Sequence, residues 1–137
     1  MKAFSLKSHM ATVPIPAYFI LDTNSQFATR FTNAVKKINP ATLVFTSLST
    51  WELCGQLNIV KASLIFMEVG ALGDSMPISV LAIRQVGYCQ TVPIVAYCSS
   101  VEEKQALQWG ADHFFIPPAT DYKLYSTLKK IILVSNC

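Results

Sequence analysis

Charge is scarce in this chain. Of its 137 residues only 14% are Asp, Glu, Lys or Arg, against 52% hydrophobic. That balance excludes a disordered, tail-rich polypeptide. The charge present nets to +3, and no run of Lys or Arg concentrates it, so the electrostatic footprint of a nucleic-acid binder is missing. Lys36-Lys37 and Lys129-Lys130 fall near expected helix C-termini, where cations complement the macrodipole. Long apolar runs are missing too. The longest have the length of strands, far short of the ~20 residues that span a membrane. At the N-terminus Lys2 and Lys7 flank only four residues, which leaves no room for the apolar stretch of a secretory signal. The four cysteines (Cys54, Cys89, Cys98, Cys137) show no CxxC or zinc spacing, and reduced thiols in a cytoplasmic protein are expected. Gly70-Ala71-Leu72-Gly73 lacks the frame of a phosphate-binding loop, and dinucleotide and flavodoxin-type fingerprints are also missing. No cofactor, no metal site, no nucleic acid and no membrane contact are expected.

What is present is alternation. Residues 1–16 read as an N-terminal arm, because Val13-Pro14-Ile15-Pro16 is barred from helix and reads as extended. Residues 17–137 read as one domain, a length able to bury a substantial core. Tyr18–Leu21 is a continuous apolar run, the mark of a strand buried on both faces, and Leu43–Phe45, Leu64–Met67, Pro93–Tyr97 and Phe114–Ile116 read as four further short strands. Between them apolar residues recur at helical spacing: Phe27, Phe31, Val35 and Ile38; then Leu53, Cys54 and Leu57; then Ile78, Leu81, Ala82 and Val86; then a weak stripe of Val101, Leu107 and Trp109; finally Leu124, Leu128, Ile131 and Ile132. Ser49/Glu52 and Ser100/Glu103 have capping-box spacing. Pro77 suits a first helical turn, and Gly87 an αL cap. Trp51 and Trp109 are expected to pack helices, with Trp109 a partner anchor if exposed. Strands joined by helical crossovers predict a parallel sheet with helices on both faces and right-handed connections.

The strand ends are Asp22-Thr23, Glu68-Val69, Cys98-Ser99 and Pro117-Pro118. In open α/β sheets ligands and chemistry sit at this carboxyl edge. Gly110-Ala111-Asp112-His113-Phe114-Phe115-Ile116-Pro117-Pro118 resembles the Gly-Ala-Asp-x-(Tyr/Phe)-(Leu/Ile)-x-Lys-Pro segment of response-regulator receiver domains, with the lysine replaced. Tyr18–Thr23, Ser63–Glu68 and Pro93–Ser99 resemble the strands of that family that end in its acidic pair, its phosphorylated aspartate and its Thr/Ser. The resemblance covers about Tyr18 to Leu133. It implies a doubly wound, flavodoxin-like α/β fold: a five-stranded parallel sheet in order 2-1-3-4-5 within three αβα layers. It also implies a cis bond between Pro117 and Pro118.

The family's active-site positions carry over poorly. Asp22 keeps the first acid, but Thr23, Glu68, Cys98 and Pro117 stand where the second acid, the phosphoacceptor aspartate, the Thr/Ser and the lysine would be. Mg²⁺ wants oxygen ligands in a near-ideal octahedron; here Thr23 offers only a neutral hydroxyl. The longer Glu68 displaces its carboxylate in a reaction that depends on positioning. Pro117 removes a fixed positive charge. Asp22 and Glu68 are expected to repel, and Cys98 to be a small packed thiol. The five form a degenerate acidic pocket without a catalytic residue, in a pseudo-receiver that signals by protein contact. The resemblance points to the surface of helix four, strand five and helix five for a partner or a second copy, with Trp109, His113, Phe114, Tyr122 and Tyr125 as candidates. Three other roles stay open: a phosphoreceiver using Glu68 as acceptor (or Glu68 imitating an acyl phosphate), a small-molecule-binding regulatory domain, and the amino-terminal domain of a longer regulator.

Overall fold

Short β-rich runs bounded by Pro, Asn, Gly and Ser become strands; the three inner ones bury both faces against neighbours, whereas the edge strand Leu43–Ser47 leaves Leu43 46% exposed. The computed structural model describes residues 15–70, 72–99, 101 and 103–135, and the side chain of Ser25 is left aside. Most of the expected arm, His9, Ser100 of the second capping box and Cys137 lie outside the described residues. The strands are β1 (Ala17–Leu21), β2 (Leu43–Ser47), β3 (Leu64–Glu68), β4 (Ile94–Tyr97) and β5 (His113–Phe115). All pairings are parallel, in the expected order β2-β1-β3-β4-β5. Helices α1 (Ser25–Ile38), α2 (Thr50–Leu57), α3 (Met76–Arg84), α4 (Glu103–Gln108) and α5 (Asp121–Ser135) connect them. Among the described residues no helix is long and apolar enough to cross a membrane.

The two-residue period of the strands divides the core. Phe19, Leu21, Ile65, Met67, Ile94 and Ala96 pack with Leu53, Leu57, Met76, Val80, Ile83 and Ala106 of α2, α3 and α4. Tyr18, Ile20, Leu64, Phe66, Val95, Tyr97 and Phe115 face α1 and α5 through Phe27, Phe31, Val35, Leu124, Leu128 and Ile132. Each large apolar side chain buried this way contributes about 1.5–3 kcal/mol.

Local signals set most of the boundaries. Asn24 caps α1 by accepting from the Gln26 N–H at 2.9 Å, and Lys36 and Lys37 occupy its last turn as expected. Ser49 Oγ accepts from the Glu52 N–H at 3.1 Å. Glu52 reaches back to the Leu48 N–H at 2.7 Å, one residue earlier than a regular capping box. Pro77 sits in the first turn of α3. Gly110 has φ +115°, and a Cβ there would lie 2.9 Å from Val80 Cγ1, so the turn out of α4 needs glycine twice over. Two residues on, Asp112 Oδ2 accepts from the Ile94 N–H at 2.8 Å and from Arg84 Nη2 at 3.1 Å.

Several expectations are corrected. The buried face of α3 is Met76, Ser79, Val80 and Ile83, whereas Ile78 is 72% and Leu81 59% exposed. The helix is apolar all round, so its period carried no orientation. Tertiary contacts supply it: Thr50 Oγ1 and Ser79 Oγ pair at 2.8 Å, and Val80 covers Gly110. Gly87 has no positive φ. Instead α3 ends at Arg84, whose Nη1 donates to the carbonyls of Cys89 at 2.9 Å and Val92 at 2.5 Å and shapes the following loop. Trp51 does not pack: it is 89% exposed. In α4 the buried residue is Ala106, and Leu107 faces outward. Lys129 and Lys130 lie inside α5, whose last turn holds no basic residue. The Pro117-Pro118 bond is trans. β4 pairs from Ile94, although the Pro93 carbonyl still accepts from the Ile65 N–H at 3.1 Å; proline forfeits only the donor. β5 begins one residue early, at His113.

Candidate functional site

Parallel register brings the strand ends together. Asp22 follows β1, Glu68 closes β3 directly opposite Tyr97 of β4, and Cys98 follows β4. With Thr23 and Pro117 these residues line one cleft of about 370 Å³. All five members of the expected pocket are therefore brought to one place. The same cleft is also lined by Asn24, Gln26, Phe27, Arg30, Tyr97 and Ser99, which the sequence reading did not assign to it.

Asp22 is only 6% exposed, and both of its carboxylate oxygens are engaged. Oδ1 accepts from the Asn24 N–H at 2.6 Å, a local turn that sets the N-cap of α1. Oδ2 accepts from the Tyr97 hydroxyl at 2.5 Å. Tyr97 is itself buried, with ring centroids 4.7 Å from Phe27 and 5.3 Å from Phe115. Its phenol is pushed far above the usual tyrosine range, first by burial, then by the hydrogen bond to Asp22, then by the negative charges of Asp22 and Glu68.

On the β3–β4 side the packing is tight. A Cβ at Gly70 would lie 2.7 Å from Cys98 Sγ and 2.9 Å from Glu68 Oε2, so only glycine lets the backbone pass this close. Cys98 is buried.

Arg30 supplies a cation that the strand ends lack. Its Nη2 donates to the Pro118 carbonyl at 2.8 Å, its Nε pairs with Asp121 Oδ1 at 2.9 Å, and its guanidinium lies 5.9 Å from the centre of the Phe27 ring. The only trace of this in the sequence is spacing: Phe27 and Arg30 are three apart, near the start of a helix that begins at a strand end, and so share a face.

A Mg²⁺ ion of the kind that receiver chemistry uses does not fit this donor set. The Asp22 oxygens are taken by neutral donors, Thr23 brings no charge, and among the described residues no three His, Cys, Asp or Glu side chains converge on a metal-sized site. A hard divalent ion needs several oxygen ligands in regular geometry.

The surface expected to meet partners is less aromatic than its sequence suggests. Trp109, His113, Phe114 and Tyr125 are half-buried, with Trp109 and Phe114 packed on the core and Lys129 Nζ 5.7 Å from the Tyr125 ring. Tyr122 alone of the five is exposed. His113 and Phe114 line a shallow groove of about 240 Å³ with Leu107 and Val134; Trp109, Tyr122 and Tyr125 are not part of it.

No protein-family model matches this sequence, and no curated protein matches it significantly. Solved structures do. A response regulator from Hahella chejuensis superposes with a TM-score of 0.73 at 17% identity, over 88% of this chain and 94% of that one. One from Thermotoga maritima gives 0.72 at 20% identity, over 88% and 99%. A two-component response regulator from Clostridium difficile gives 0.68 at 24% identity, over 89% and 99%. At such identities the likeness is one of fold: this is the CheY-like receiver architecture.

Proposed function

We propose that this chain is a receiver-fold signalling module, a pseudo-receiver, that works by protein–protein contact and without phosphoryl transfer. The observation that carries the reading is the bond from Tyr97 to Asp22. It commits the one acid kept from the receiver pattern to a neutral phenol within the fold. Glu68 lines the same cleft, with Pro117 where a receiver would have a lysine. Phosphoryl transfer depends on positioned charge, and each of these losses removes some. The module is not an enzyme on this reading. It acts in the cytoplasm, where the free thiols of Cys54, Cys89 and Cys98 stay reduced. It has no membrane or nucleic-acid partner, and binds a protein or a second copy through α4, β5 and α5.

The test combines chemistry and binding. Acetyl phosphate with Mg²⁺ is expected to leave the mass unchanged, and beryllofluoride to leave the amide spectrum unchanged. A Mg²⁺-dependent gain of one phosphoryl group favours Glu68 as an acceptor and ends the proposal. On the surface, Leu107→Glu and Tyr122→Glu, both at exposed positions, are expected to weaken self-association or partner capture while circular dichroism stays unchanged. If assembly survives both, the α4–β5–α5 surface is not the interface.

A further inference from the structure

The cleft at the strand ends is walled by both signs of charge. Asp22 and Glu68 form one pole and Arg30 the other. Two nitrogens of Arg30 are engaged by Asp121 and by the Pro118 carbonyl, whereas Nη1 donates to nothing among the described residues. The Asp121 side chain is 79% exposed, so its pair with Arg30 is a weak surface contact. A guanidinium fork can take a second carboxylate through its remaining edge. The opposite pole holds the two carboxyl groups of Asp22 and Glu68, brought to one cleft by the parallel register of β1, β3 and β4.

A divalent ion is poorly matched to these poles, because both Asp22 oxygens already accept hydrogen bonds and a hard ion needs several oxygen ligands in regular geometry. An ammonium group makes no demand for octahedral geometry. It donates its N–H groups to acceptors such as a carboxylate, and its charge suits the negative pole. The volume of about 370 Å³ lies in the range of small-ligand sites, roughly 300–1,000 Å³. Phe27 and Pro117 offer apolar wall between the poles, and Thr23, Gln26 and Ser99 offer polar groups.

We propose that this cleft binds a small zwitterion, in its simplest form a free α-amino acid, with its ammonium at the Glu68 side and its carboxylate at Arg30. The inference rests on the reading that the cleft runs no phosphoryl transfer, and it names what would regulate that same site.

The experiment is thermal unfolding of the full chain with each standard amino acid at millimolar concentration, followed by an NMR titration of the amides around the cleft. Ethylamine and acetate serve as half-ligands. At least one amino acid is expected to raise Tm saturably, by about 5–10 °C at a hundredfold excess over Kd, and to move the amides of residues 23–30, 68–70 and 98–99. Ethylamine and acetate are expected to do neither at equal concentration. Glu68→Gln and Arg30→Lys, each read against its own ligand-free Tm, are expected to weaken binding about tenfold or more. If no amino acid shifts either Tm or the amides, the proposal is wrong. It is equally wrong if ethylamine or acetate alone reproduces the effect, or if both variants bind as the parent does. Phosphoryl uptake in the Mg²⁺ experiment described above would instead overturn the phosphorylation-free reading, and it is measured on ligand-free protein, so the two failures are told apart.

Discussion

The Tyr97 hydroxyl and Asp22 Oδ2 lie 2.5 Å apart across 75 residues of sequence, and they join β4 to β1 past the intervening β3. Few single bonds in the molecule tie so much of the sheet edge together. Tyr97→Phe keeps the ring and its stacking but leaves a buried carboxylate short of one donor. The expected loss is about 1–3 kcal/mol of stability, read as a lower urea midpoint at unchanged m. An unchanged midpoint would mean that water replaces the phenol at no cost, and the cleft would then be open to a cation after all.

Alkaline pH tests the same contact in another way. Tyr97 is held protonated in the folded protein, chiefly by burial; burial also raises Tyr18 and Tyr88. A raised folded pKa means that the unfolded chain gives up the proton first. The associated stability is whole below about pH 10, the unfolded tyrosine value, and is lost as pH climbs above it. Stability measured by urea unfolding is expected to fall steeply above about pH 10, and less steeply in Tyr97→Phe. A curve of equal slope in both proteins would show that Tyr97 is not the group responsible.

Glycine positions separate strain from space. Gly110→Ala meets both a positive φ and Val80 Cγ1 at 2.9 Å, and is expected to cost about 1–3 kcal/mol. Gly87→Ala meets no atom within 4 Å and no positive φ, so it is expected to be neutral or to stabilise by up to ~1 kcal/mol through the unfolded state. Paired thermal melts check the contrast, and equal effects would refute it.

Trp51 is expected to behave as a side chain in water. Its replacement by alanine is expected to change stability by less than about 0.5 kcal/mol and to remove a red-shifted, iodide-quenchable part of the fluorescence. What remains comes from Trp109, which packs on the core and is expected to emit further to the blue. Strong destabilisation by Trp51→Ala would contradict the exposed placement.

How far the sequence could be read follows from the range of each signal. All five strands and five helices were legible, because apolar runs, Pro77 and Ser49 act on their own neighbourhood. The cleft members Asp22, Thr23, Glu68, Cys98 and Pro117 were legible as strand ends, since a parallel sheet must gather such ends at one edge. The face of α3 was not legible: a helix with Ile78, Val80, Leu81, Ala82 and Ile83 has apolar residues on every side. Trp51 misled because a large aromatic on a helix usually packs; the helix instead buries Leu53 and Leu57 and turns Trp51 to solvent.

From its residues alone the chain determined its alternation, its parallel sheet and the loss of the lysine and second acid at its strand ends, because these are read from hydrophobic period and from the residues that follow each apolar run. Only the tertiary structure decided that a phenol from β4 would answer the acid of β1, and that a guanidinium from α1 would reach the Pro118 carbonyl 88 residues away. Those pairings depend on which strand lies beside which and on where each helix rests. Long-range register sets them, and no window of neighbouring residues contains that register.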